Sequence, residues 1–352
     1  MVSALAIAIP SRPAVAWLYG RNFDLGFTLG IAALALLAGG ALSVHPGWFV
    51  PIFFLNMWGL GFPHVVATFT RVAFDRQSFA QHRFLVAGLP ALMFVAVVGI
   101  GVSQGQWALA TIYLFWQAFH YARQNYGIAQ TYARRPENVG GVNERLSRWI
   151  LYAIPLWGIL FRSFEAPPTF LGLDVWFPPV PEVAVRAVGA VTAGLIVWWC
   201  VEQLRLARAG EGRLPISHFL YMASYIAVFV TGYLLIDDLD VGWLVVSIWH
   251  NAQYLGFVWY TNNKQFGARL DPQRRLLSRL SQPRHLPAFL LTCALISTVA
   301  YSLIFYASSL LVLQPVSLAL LIGQTLNYHH YIVDAVIWRR PKVAPKAALA
   351  AA

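Results

Sequence analysis

Asn327-Tyr328-His329-His330-Tyr331-Ile332-Val333-Asp334 places two adjacent histidines and an aspartate inside a run apolar enough to span a membrane. An ionisable group at that depth costs roughly 2.5–3.5 kcal/mol on insertion scales, so it faces a protein interior and carries a function. Three earlier apolar segments each contain one such histidine: His64, His120 and His250. Four imidazoles on four separate segments point to one shared buried site, most simply a metal.

Composition sets the class in which that site must be read. The 352 residues are 59% hydrophobic and 11% charged, with a mean hydropathy of +0.60. Soluble domains carry about 25% charged residues, so the chain reads as a polytopic integral membrane protein. The net charge of +11 is no nucleic-acid footprint, because the basic residues lie in short loops between apolar runs. Cys200 and Cys293 fall in separate hydrophobic runs without a Cys-x-x-Cys spacing, which implies neither a disulfide framework nor a thiolate metal site.

About ten stretches approach the ~20 residues that a bilayer core requires: 25–44, 48–72, 84–103, 106–126, 146–163, 183–204, 214–236, 241–261, 286–306 and 311–338. The connecting loops alternate in charge. Those after even-numbered stretches carry Arg71, Arg76 and Arg83, then Arg123 to Arg148, Arg205 to Arg213, Lys264 to Arg284, and finally Arg339 to Lys346. Those after odd-numbered stretches are nearly free of Lys and Arg, and one is acidic (Asp237, Asp238, Asp240). The positive-inside rule then puts both termini in the cytoplasm. The expected fold is an all-α helix bundle of about ten transmembrane helices, forming a single domain over 1–352 in a bacterial inner membrane. Residues 1–20 read as a lead-in without signal-peptide order, and 340–352 as a disordered tail. The prolines at 167–168 and 178–181 read as stiffening of one long loop.

The histidines share a depth. His64, His120, His250 and His329 fall in the central-to-cytoplasmic part of even-numbered stretches, at 1.5 Å per residue. Polar residues surround them: Gln117, Gln124, Asn125, Asn251, Gln253, Gln324 and Asn327. Such groups either orient ligating imidazoles through the second ring nitrogen or hydrogen-bond between helices. Tyr254 lies one turn beyond His250 on the same helix face, where packing, hydrogen bonding and ligation are all open to it. His45, His82, His218 and His285 lie in loops or near segment ends and read as structural.

At these residues the chain resembles the bacterial membrane β-carotene 15,15′-dioxygenases, related to the bacterio-opsin-related proteins. The resemblance is carried by Gly61-Phe62-Pro63-His64, Ala118-Phe119-His120-Tyr121, Ser247-Ile248-Trp249-His250 with Phe257-Val258-Trp259, and His329 with Asp334 followed by Val336-Ile337-Trp338-Arg339. It implies a polytopic oxygenase that uses histidine-bound Fe(II) and O2 on a lipophilic, carotenoid-like substrate drawn from the bilayer. It further implies iron ligation by His64, His120 and His250. The sequence departs from that family at Tyr254, where a second histidine is expected, and at Thr68 and Asn125, where acidic residues are expected. His329 or His330 is expected to fill the vacated ligand place, with another transition metal as an alternative to iron. Tyr254 and Asp334 are the candidate catalytic side chains, Asp334 by fixing an imidazole tautomer. Two other classes remain open: a pigment- or haem-binding subunit, and a transporter with a histidine–aspartate proton relay.

Overall fold

The computed structural model describes residues 15–74, 76–138, 141–209, 214–310 and 316–338. Most of the N-terminal lead-in, Arg213, the start of the last apolar stretch at 311–315, and the basic tail from 339 lie outside the described residues. In chain order the helices are α1 (Arg21–Val44), α2 (Pro46–Val72), α3 (Arg76–Gln81), α4 (Phe84–Gln104), α5 (Gln106–Ala133) and α6 (Glu144–Glu165). A hairpin of β1 (Thr169–Phe170) and β2 (Leu173–Asp174) follows. Next come α7 (Glu182–Arg208), α8 (Ile216–Leu235), α9 (Leu239–Phe266), α10 (Arg275–Leu280), α11 (Pro283–Leu310) and α12 (Leu318–Ile337).

The described residues are thus all-α apart from the hairpin. Among the described residues, α1, α2, α4, α7, α8 and α11 are long and apolar enough to cross a membrane. The other long helices, α5, α6, α9 and α12, are diluted by polar side chains, and three of these four carry His120, His250 and His330. A helix that is apolar all round faces lipid or core, whereas buried polar groups mark a helix with protein neighbours that satisfy them.

Contacts group the chain into two compact units, one of Met1–Gly61 and Gln106–Thr261, the other of Phe62–Gly105 and Asn262–Ala352. In the first, α6 packs along α5 and α7, while α8 packs on α1, α5 and α6. Buried polar groups pin these helices. Asp24 accepts the backbone N–H groups of Leu18 (2.9 Å), Tyr19 (3.1 Å) and Gly20 (3.1 Å) and the Tyr132 hydroxyl (2.7 Å), which ties residues 18–20 to α5. Arg162, an exception in the loop-charge pattern, is buried at the end of α6. It donates to Glu165 (2.7 Å), to the Asp237 carbonyl (2.7 Å) and to the Ile236 carbonyl, closing the turn between α8 and α9.

The proline-flanked loop contains the hairpin, whose Leu171 and Gly172 have φ of 49° and 75°. Two successive positive-φ residues match the right-handed strand twist in a two-residue turn. Leu171 N–H donates to Asp240 (2.8 Å), so the loop is fastened to the start of α9.

In the second unit the Phe62–Val72 part of α2 packs on α11 and α12, and α4 packs on α12. Val72, Leu89 and Val333 form its apolar centre, with Phe69, Leu85 and Val86 against them. The turn preceding this segment, Met57–Gly61, is π-helical. Pro63 lacks an N–H and its ring crowds the carbonyl four residues back, so a widened turn there relieves the clash. His64 follows that turn by three residues.

The backbones of Gly232 and Gly242 approach so closely that a Cβ on Gly242 would collide with the Gly232 carbonyl oxygen. Gly99 on α4 has open space around it. Gly242→Ala is expected to destabilise the detergent-solubilised protein by about 1–3 kcal/mol, as overpacking does, and Gly99→Ala to leave its thermal midpoint unchanged, both read by fluorescence-monitored melting.

Candidate metal centre

One ligand nitrogen from each of His64, His120, His250 and His330 lies within 4.8 Å of that from every other, and all four residues are buried. Two imidazole nitrogens on one ion at about 2.0–2.1 Å can be at most about 4.2 Å apart. A group of this kind could hold a metal ion. The donor set is all nitrogen, which suits Fe, Zn, Cu or Ni rather than Mg or Ca. The residues fit a transition metal.

His64 lies on α2 and His330 on α12. Their Nε2 atoms are 2.8 Å apart and their rings cross at 84°. Facing nitrogens at that distance share one proton or coordinate one cation, and a metal displaces the proton when it binds. On its other side His330 presents Nδ1 to the Thr68 hydroxyl at 2.7 Å, and Thr68 donates to Asp334 Oδ1 at 3.4 Å. With its proton directed at the carboxylate, the Thr68 oxygen accepts from His330 Nδ1–H. That tautomer leaves a lone pair on His330 Nε2, the form a metal ligand needs. Asp334 Oδ2 lies 3.5 Å from His330 Nε2, adding negative potential where a cation would sit.

His120 on α5 and His250 on α9 have ring centroids 5.0 Å apart at 71°. Tyr121 packs over His250 at 4.0 Å between centroids. Gln117, one turn before Tyr121, holds the tyrosine in place: its Nε2 donates to the Tyr121 and Tyr113 hydroxyls, the latter at 2.9 Å. The Gln117 oxygen accepts from Trp243 Nε1 at 2.5 Å. Asn125, where the resemblance would place an aspartate, donates to the Tyr121 carbonyl (2.8 Å). It accepts from the Tyr221 hydroxyl (2.6 Å) and from Trp249 Nε1 (3.4 Å). Beside these, Asn56 and Asn251 both donate to Ser247 Oγ at 3.2 Å, one turn before His250.

The remaining expected site residues are placed differently. His329 turns its Nε2 onto the Leu85 carbonyl at 2.6 Å and stacks its ring on Phe69 at 5.4 Å, within the packed face toward α4. The four-histidine group contains His330 and not His329. Consecutive helical residues point about 100° apart, so one of an adjacent pair faces the site and the other does not. Asp334 approaches His330, its i+4 neighbour, rather than His329 at i+5. Tyr254 is fully buried one turn beyond His250. Thr68 faces His330 and Gln117 holds Tyr121 against His250, neither being a candidate ligand, and the His330–Asp334 spacing of four was a sequence signal for the histidine that joins the group. Searches against protein-family models, curated proteins and solved structures find no significant match to this chain.

His330→Ala is expected to abolish bound metal in the purified protein, measured by elemental mass spectrometry, while His329→Ala retains it. Thr68→Val keeps the shape but removes the oxygen facing Nδ1, and should weaken metal affinity about 10–100-fold in competition with a chromophoric chelator.

Proposed function

We propose that this chain is a membrane-embedded, iron-dependent oxygenase that acts on a lipophilic, carotenoid-like substrate with O2. The observation that carries the reading is the group of four buried imidazoles in a helical protein with membrane-spanning segments. The order of the sequence islands around His64, His120 and His250 favours iron and an oxygenase over other metals and chemistries. The same reading puts about ten helices across a bacterial inner membrane with both termini in the cytoplasm, in keeping with the alternation of basic loops.

His64, His120, His250 and His330 would hold the ion. Iron bound by imidazoles with positions left open supplies the activation of O2 that oxygenation of a carbon–carbon double bond requires. The protein's own groups set the conditions for it. Thr68 keeps His330 in the ligating tautomer, and Asp334 offsets the charge of a cation. Gln117 and Tyr121 hold the His250 ring in one orientation. Trp249, next to His250 and fully buried on α9, is a side chain that helps exclude water. Exclusion of water matters because a reactive oxygen species is otherwise lost to solvent. A substrate that partitions into the bilayer reaches a buried site without crossing water, which is why a lipophilic substrate suits this architecture.

The test is metal content followed by turnover. Protein purified in detergent after iron-replete expression should hold near-stoichiometric iron, lost in a His64→Ala/His250→Ala variant. It should consume O2 with β-carotene or a related polyene in micelles. Zinc in place of iron, or iron without substrate-dependent O2 uptake, would overturn the oxygenase reading. Folded protein without metal would overturn the metal reading too and leave the hydrogen-bonded His64, His330, Thr68 and Asp334 as a proton-carrying string.

A further inference from the structure

In the first unit, α5 and α6 pack along one another, and side chains of both meet on their outward face. Arg123 on α5 and Arg148 on α6 are exposed there, with the rings of Tyr126 and Tyr152 6.0 Å apart beside them. The Arg148 guanidinium lies 5.7 Å over the Tyr126 ring, and Arg123 interacts with the Tyr152 hydroxyl. Phe119, one turn before Arg123, stands 6.4 Å from the Tyr152 ring, and both Phe119 and Leu156 are exposed. We infer that this face binds a membrane lipid with an acidic headgroup, the headgroup at Arg123 and Arg148 and an acyl chain along Phe119 and Leu156.

Each guanidinium is held by a neutral tyrosine, through its ring face or its hydroxyl. Such partners orient the planar fork without adding negative charge, and the fork keeps donors that match phosphate oxygens in pairs. Among the described residues neither Arg123 nor Arg148 forms an ion pair. The nearby carboxylates are directed elsewhere. Glu144, one turn before Arg148, lies 4.0 Å from Arg134. Glu202 on α7 accepts from Asn143 at 3.0 Å, and Glu137 lies in the turn beyond the end of α5. Residues 123–156 contain five Arg against two Glu, so the potential over this face is positive.

The order of these side chains favours an amphiphile over a soluble anion. Phe119 and Tyr126 on α5 both approach Tyr152, and Tyr126 also meets Arg148, so the two helices run antiparallel here. The cations therefore gather toward the end of α5 and the start of α6, while the exposed apolar side chains lie further from that end. A lipid has the same polarity: charge at one end, hydrocarbon at the other. Trp149, exposed beside Arg148, is of the type that settles at headgroup level. Helices α7 and α8, both long and apolar enough to cross a membrane, pack on α6 and set it at bilayer depth. A guanidinium exposed to lipid there is costly until it reaches an anion, and basic pockets between membrane helices take acidic headgroups for that reason. This inference is independent of the metal centre.

The test uses the full chain in detergent, titrated by isothermal calorimetry with three probes: dihexanoyl phosphatidylglycerol, dihexanoyl phosphatidylcholine and inorganic phosphate. Phosphatidylglycerol should bind saturably and more tightly than either of the others. An Arg123→Gln/Arg148→Gln variant should lose roughly tenfold or more of that affinity. An Arg186→Gln variant, which removes an exposed cation on α7, should bind as wild type does. Equal binding of phosphatidylcholine, or of inorganic phosphate, would overturn the assignment to an acidic lipid. So would the absence of saturable binding, or an equal loss in Arg186→Gln. Should the double variant fail to fold, Arg148→Gln alone provides the same readout with an expected loss of several-fold, and an unchanged affinity there would overturn the inference.

Discussion

The contact between His64 and His330 is the interaction on which the rest of the site depends. Two imidazole nitrogens 2.8 Å apart in a buried setting cannot both carry a lone pair or both carry a proton without strong repulsion. One shared cation, a proton or a metal, resolves the conflict. Thr68 and Asp334 act on this pair by fixing where the protons of His330 lie. The surrounding apolar helices raise the stakes, because each polar group they contain must be satisfied by protein.

The same constraint explains three of the four helices that carry the histidines. Helices α5, α9 and α12 bear enough Gln, Asn, Tyr and His to fall short of simple apolar spans. Their polar groups find partners within the protein: Gln117 with Tyr113, Tyr121 and Trp243, Asn125 with Tyr221, and Asn251 with Ser247. The helices α4 and α11, whose exposed faces are mostly apolar, carry no histidine in that group. Polarity is therefore concentrated where protein surrounds it, and function follows that concentration.

Much of the architecture was legible from composition and periodicity. Apolar runs of spanning length mark helices wherever lipid and core both demand hydrophobic faces, and every expected stretch overlaps a long helix. Isolated histidines in such runs marked the buried group because a lone ionisable side chain there has a high cost without partners. The sequence marked Gln117 only as one of several polar neighbours and Thr68 only as a departure from the resembled family; the part each plays depends on side chains brought to it by the fold. Nor did the sequence reveal the Asp24 clamp, whose backbone donors lie four to six residues before it, or the inward-facing Arg162.

What the sequence by itself determined is the helical class, the expectation of a membrane setting and the concentration of imidazoles in apolar segments, because these follow from local composition and transfer free energy. What only the tertiary structure decided is which imidazoles meet. His329 and His330 are chemically identical and adjacent, yet one stacks on Phe69 under the Leu85 carbonyl and the other faces His64. The choice rests on the rotation of α12 against α2 and α4 in the second unit, set by the packing of Val72, Leu89 and Val333. Helix rotation is a property of interlocking surfaces, and no single segment contains the information that fixes it.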